Sequence, residues 1–135
     1  MNFFIDEHLS YRLAEALNAL CADDGHRVLH VQNKFGRGVP DTLWIPGLQQ
    51  EGGWVVICGD WRIRTRPAER RVFHQAKLTT FFLAKGWTRS MDYWTQAFVL
   101  VKWWPKIIQQ AELVDPGALF SVPMSHSGTF KPIAP

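Results

Sequence analysis

Short apolar runs alternate along this chain with stretches whose apolar residues recur every three or four positions. Asn2-Phe3-Phe4-Ile5 is a brief apolar run that stops at Asp6-Glu7, and it predicts a buried strand. Leu9, Leu13, Ala16, Leu17 and Leu20 follow at helical spacing, which predicts an amphipathic helix over 9–21 ended by Asp23-Asp24-Gly25. A second strand is expected over 26–31 and a loop over 33–40, where two glycines and a proline fall. Asp41 then opens a short helix, whose length Pro46-Gly47 leaves in question.

The clearest strand is Trp54-Val55-Val56-Ile57-Cys58, closed by Gly59-Asp60. Its apolar residues are continuous rather than alternating, as in a parallel sheet covered on both faces. Residues 67–77 read as a helix with Pro67 in its first turn, and 78–83 as a fourth strand. Ser90 is placed to cap a long helix toward Val114, which Pro105 should kink or divide. Leu119–Val122 is a last short strand, and 123–135 an extended or loose tail. Strands alternating with helices predict an α/β fold: a mainly parallel sheet of four to five strands flanked by helices, in one domain over 1–122.

Composition changes this picture little. A chain of 135 residues with 47% apolar and 20% charged residues is a folded domain, not a disordered one. No apolar run approaches the roughly 18 residues that span a bilayer. The first six residues lack a basic segment, so no signal peptide is expected. Two cysteines and no CxxC predict a reduced, cytoplasmic protein. The net charge is only +3, but it is an average of unlike halves. Residues 1–60 carry four basic and eight acidic side chains; residues 61–135 carry eleven and four.

Three acids sit where chemistry would be expected. Asp6 ends the first strand with Glu7 beside it, Asp60 ends the central strand, and Asp41 opens a helix after a glycine-rich loop. Ligands of open parallel sheets bind outside the carboxyl ends of the strands. The right-handed crossover rule brings the first and third strands together, so Asp6 and Asp60 should converge. Carboxylates gathered in one cleft repel each other unless a cation neutralises them. Oxygen donors without His or Cys suit Mg²⁺ or Mn²⁺, which assist phosphoryl chemistry. The same acids would also serve as turn residues or caps.

Directly after Asp60, Arg62, Arg64, Arg66, Arg70 and Arg71 crowd together, opposed only by Glu69. Arginine is suited to phosphate, and a solvated face with ordinary ion pairs is the alternative. Trp61, among these arginines, is placed to stack a base or to pack in the core. Trp103-Trp104 on the long helix is expected to pack in the core, although one small domain does not easily bury both faces, which suggests a dimer or partner surface. The histidines have no metal-ligand spacing; His8 borders Asp6 and so could touch the site, or else reads as a partly exposed helix-start residue. No stretch matches GxGxxG or a Walker loop, Ser10 lacks a nucleophile elbow, and Cys21 and Cys58 read as inert core thiols.

Phe3-Phe4-Ile5-Asp6-Glu7-His8-Leu9-Ser10 resembles the opening of compact prokaryotic PIN-like proteins, which pass from a strand through Asp-Glu-Asn-Leu-Ser into a helix. Gly38-Val39-Pro40-Asp41 is similar to their second acidic station, and Val55–Asp60 to the strand that ends in the third. The second half, with Phe81-Phe82-Leu83, Gly86-Trp87 and Lys102-Trp103-Trp104-Pro105, resembles the branch of VapC-type toxins. The resemblance implies a PIN fold and a Mg²⁺- or Mn²⁺-dependent ribonuclease, the toxin of a toxin–antitoxin pair. It implies RNA as substrate and a cognate antitoxin protein as partner; a homodimer is what Trp103-Trp104 suggests. Asp6, Asp60 and Asp41 become the expected metal ligands, with Glu7 an outer or direct partner. Asp92 is the candidate fourth acid, or else a first-turn residue that complements the helix dipole. Arg62, Arg64, Arg66 and Trp61 become the RNA-binding residues. His8 stands where relatives have Asn, and Cys58-Gly59 where they often have Thr-Arg.

Two other classes compete. One is a PIN-like module without catalysis that binds RNA or protein, which absence of Mn²⁺ binding would favour. The other is a phospho-receiver domain, with Lys131-Pro132 as its lysine–proline station; it leaves Asp41 and the arginines unexplained.

Overall fold

In the computed structural model, which describes residues 1–135, the first strand lies inside the sheet rather than at its edge. β1 (Asn2–Ile5) pairs in parallel with both β2 (Arg27–His30) and β3 (Trp54–Cys58). β3 pairs with β4 (Thr79–Leu83) and β4 with β5 (Leu119–Val122), again in parallel. The order is β2-β1-β3-β4-β5-β6, so all five parallel carboxyl ends meet at one edge. The sheet has six strands, not four to five. β6 (Lys131–Ile133) adds an antiparallel edge, and Phe130 before it packs on Phe81, Trp103 and Phe120. Residues 123–135, expected as an extended or loose tail, are therefore partly paired and packed.

The continuous apolar runs bury both faces of the sheet. Phe3 and Ile5 join Val55 and Ile57 on one face, under α1 (Tyr11–Cys21) and α6 (Tyr93–Leu113). Phe4 joins Trp54, Val56 and Cys58 on the other, under α3 (Asp41–Glu51) and α4 (Pro67–Ala76). Each fully buried phenylalanine contributes about 2 kcal/mol of transfer free energy. The remaining helices are one turn or little more: α2 (Val31–Phe35), which takes the last residue of the expected second strand and the start of the expected loop, and α5 (Trp87–Ser90) after β4. No helix is long and apolar enough to cross a membrane.

Three local expectations are corrected. α3 runs its full length through Pro46, whose missing donor would have served Thr42 in the exposed first turn. α6 is not divided at Pro105, because the residue that loses its bond, Val101, lies on the exposed side. Asp92, not Ser90, caps α6, its side chain accepting from the Thr95 amide at 2.8 Å. Trp103 and Trp104 are both buried by this one chain, at 1% and 3% exposure, so they present no partner surface. The indole of Trp103 donates to the Pro123 carbonyl, whereas that of Trp104 has no partner.

Candidate functional site

The parallel edge is where the chain leaves β1, β3 and β4, and two acids there, Asp6 and Asp60, are buried. Asp6 is only 5% exposed. Its amide donates to Ile57, extending the ladder one residue past β1. Its Oδ1 accepts the His8 amide at 3.1 Å, and its Oδ2 accepts the Gly59 amide at 2.9 Å. The carboxylate thus pins the exit of β1 to the exit of β3. Gly59 is needed for this approach, since a Cβ there would stand 2.5 Å from the His8 Cβ.

His8 borders Asp6 in space as well as in sequence. Its Nδ1 lies 3.3 Å from Asp6 Oδ2. The hydrogen bond to Asp6 raises its pKa above 6.5 against the opposing effect of burial, and the charges of Asp6 and Asp60 add to the rise.

Asp60 is 9% exposed and caps a 3₁₀ turn over Trp61–Arg64. Its Oδ1 accepts the amide and Nε of Arg62 at 3.0 and 3.1 Å, and its Oδ2 accepts from Arg66 at 2.6 Å. Burial alone would raise this carboxyl, but the Arg62 amide and side chain and the Arg66 charge outweigh it and lower the pKa. Arg66 also reaches Glu69 at 3.4 Å.

Asp41, at the start of α3, completes the group. Its Oδ1 accepts the Trp44 indole N–H at 2.8 Å. Burial raises its pKa, the Trp44 bond opposes this, and the charges of Asp60 and Asp6 raise it further. Asp41 therefore feels the charges of two acids far from it in sequence.

The other sequence candidates are placed elsewhere or otherwise occupied. Glu7 turns to a separate hollow lined by Ser10, His30 and Arg37. Asp92 is spent on its exposed cap. Arg64 donates to the Ala134 carbonyl at 3.2 Å, tied to the C-terminal segment. Arg70 and Arg71 are exposed along α4 and line a shallow surface with His74. Trp61 is half-buried, its indole donating to the Leu83 carbonyl and its ring 4.9 Å from Phe82. Lys131, the receiver-like lysine, lies on the edge strand β6.

The donor chemistry, carboxylate oxygens without thiols, fits Mg²⁺ or Mn²⁺, and the mutual repulsion felt by Asp41 is what a cation would relieve. The arrangement is not a closed cage: no three Asp, Glu, His or Cys side chains stand close enough together to hold one ion. Arg66 occupies the Asp60 oxygen that an ion would use. Asp6, Asp41 and Asp60 are the acids that would hold it, once Arg66 gives way and the three draw closer than they stand here.

Asp60 also opens onto a hollow of ≈ 570 Å³ between the ends of β3 and β4. Lys85 and Arg89 line it beside Arg62. Both were missed in the sequence, where each is an isolated cation in a loop or one-turn helix. The only signal was their position after a strand that ends at the functional edge.

A family model described as "PIN like domain" matches residues 1–85. No curated protein and no solved structure matches the chain.

Proposed function

Since the chain belongs to the PIN-like domain family, a superfamily of nucleases in general, we propose that it is a metal-dependent endoribonuclease. The observation that carries this reading is Asp6 bonded to the exit of β3 one residue before Asp60, with Asp41 near enough for both charges to raise its pKa. Bound there, Mg²⁺ or Mn²⁺ would supply activation of water and neutralisation of charge on the phosphate. The protein's own groups do the rest. His8 and the Gly59 amide hold Asp6 in one orientation. Arg62, 71% exposed, contacts Asp60 with one edge of its guanidinium and directs the rest outward to a phosphate. The finer reading, a toxin restrained by a cognate antitoxin, rests on the sequence resemblance of the second half. A small DNA-binding protein encoded beside it would support that reading.

The test is cleavage of a generic RNA with Mg²⁺, with and without EDTA, by the wild-type protein, Asp6→Asn and Asp60→Asn, with circular dichroism to check folding. Loss of cleavage in folded variants and in EDTA is expected. Undiminished cleavage in both variants would remove the site assignment.

A second reading, a PIN-like module that binds RNA or protein without cutting it, is favoured by one observation. Every oxygen of Asp6 and Asp60 already accepts a hydrogen bond, so both acids have complete structural roles. A folded wild-type protein that takes up no Mn²⁺ would decide for this reading.

A further inference from the structure

Around the hollow beside Asp60, charge is unbalanced. Arg62, Lys85 and Arg89 line it with His8 and Thr88, and Asp60 is its one acid. That acid is already neutralised by Arg62 and Arg66. Lys85 and Arg89 are exposed and make no ion pair with any part of the chain. Gly86, at φ 104°, turns the chain from β4 into α5 and sets the two cations on either side of the bend. The two stand beside Arg62 although more than twenty positions separate them from it in sequence.

We propose that this hollow is the polynucleotide entry groove, in which Arg62, Lys85 and Arg89 bind successive phosphates of a single strand. The inference rests on the nuclease reading for the purpose of the groove, which leads the backbone to the acid edge. It extends that reading to residues, Thr88 and Arg89, beyond those the family match covers. Three cations around a concave space make a positive track for a backbone, the usual feature of single-strand binding. A volume of ≈ 570 Å³ lies in the range of pockets that enclose a small ligand. It admits a flexible strand, whereas a duplex presents a rigid convex surface recognised by its overall shape. Trp61 gives the groove a partly apolar wall.

The experiment is fluorescence anisotropy of labelled ten-nucleotide oligomers over a range of salt, in EDTA so that nothing is cut. The oligomers are single-stranded RNA, single-stranded DNA and the RNA duplex. Single strands should bind more tightly than the duplex, and the RNA and DNA arms identify which polymer is preferred. Lys85→Gln/Arg89→Gln should weaken binding at least roughly tenfold and flatten the log–log salt slope by about 1.4, the share of two phosphate contacts on a single strand. Arg70→Gln/Arg71→Gln, the exposed pair on α4, should bind as the wild type does.

Four results would overturn the groove: no binding by the wild-type protein, preference for the duplex, an unchanged slope in the Lys85/Arg89 variant, or an equal loss in the Arg70/Arg71 variant. The nuclease reading fails separately. A wild-type protein that binds through the groove but cleaves nothing keeps the groove and loses the nuclease. A Lys85/Arg89 variant that binds and cleaves like the wild type does the reverse.

Discussion

Gly59→Ala is the smallest change that should disturb the acid edge. The added methyl would lie 2.5 Å from His8 Cβ and 2.9 Å from His8 Cγ. Carbon atoms prefer 3.5–4.0 Å, so the two segments must separate by roughly 1 Å. A new rotamer cannot relieve a clash with a Cβ, and the His8 backbone is held by its amide bond to Asp6 Oδ1. The strain therefore passes to the Gly59–Asp6 bond that joins the exits of β1 and β3. Overpacking of this kind costs about 1–3 kcal/mol, and the lack of a side-chain escape places this case near 2–3. For a chain of 135 residues, an unfolding entropy of about 2.1 cal/mol/K per residue converts that to a fall in Tm of roughly 7–10 °C. Thermal melts followed by circular dichroism measure it. His8→Gly removes the side chain that the methyl strikes, so His8→Gly/Gly59→Ala should recover much of the loss relative to the two single variants. A Gly59→Ala protein that melts within about 1 °C of the wild type, or a double variant showing no recovery, would refute the reasoning.

Three further outcomes follow from the same contacts. Arg66→Gln vacates Asp60 Oδ2, so calorimetric titration should show tighter Mn²⁺ binding than in the wild type; equal or weaker binding means Arg66 does not compete with the ion. Asp6→Asn should lower the His8 pKa seen by proton NMR, since the Asp6 bond is the leading cause of its rise. A histidine raised on folding stabilises fully below its unfolded pKa of about 6.5, and that contribution disappears as pH climbs through the raised folded value. Asp6→Asn should accordingly flatten the stability profile just above that point, and an unmoved His8 resonance would contradict this. In the core, Trp103→Phe should cost about 1 kcal/mol more than Trp104→Phe in urea unfolding, because only Trp103 surrenders a hydrogen bond.

The order of elements was readable because burial on two faces leaves a plain mark. Trp54–Cys58 had to lie inside a parallel sheet, since a continuous apolar strand exposes nothing that water would solvate. Prolines misled for a related reason: rigidity is visible in sequence, but whether the orphaned carbonyl faces solvent is not. Pro46 and Pro105 are tolerated because Thr42 and Val101 are exposed. The paired tryptophans pack in the core, as their bulk suggested, because a helix of 21 residues crossing a three-layer domain buries adjacent positions that a lone helix would not.

At the site, the sequence alone determined where Asp6, Asp41 and Asp60 fall, each set by the end of a strand or the start of a helix. Those positions follow from local periodicity and crossover handedness, both written along the chain. Only the tertiary structure decided what the acids touch. It placed Arg66 on Asp60, turned Glu7 to another hollow, tied Arg64 to the Ala134 carbonyl, and set Lys85 and Arg89 beside Arg62. The reason is physical: an ion pair or a groove depends on the direction of side chains from segments brought together by packing, and no local pattern encodes that direction.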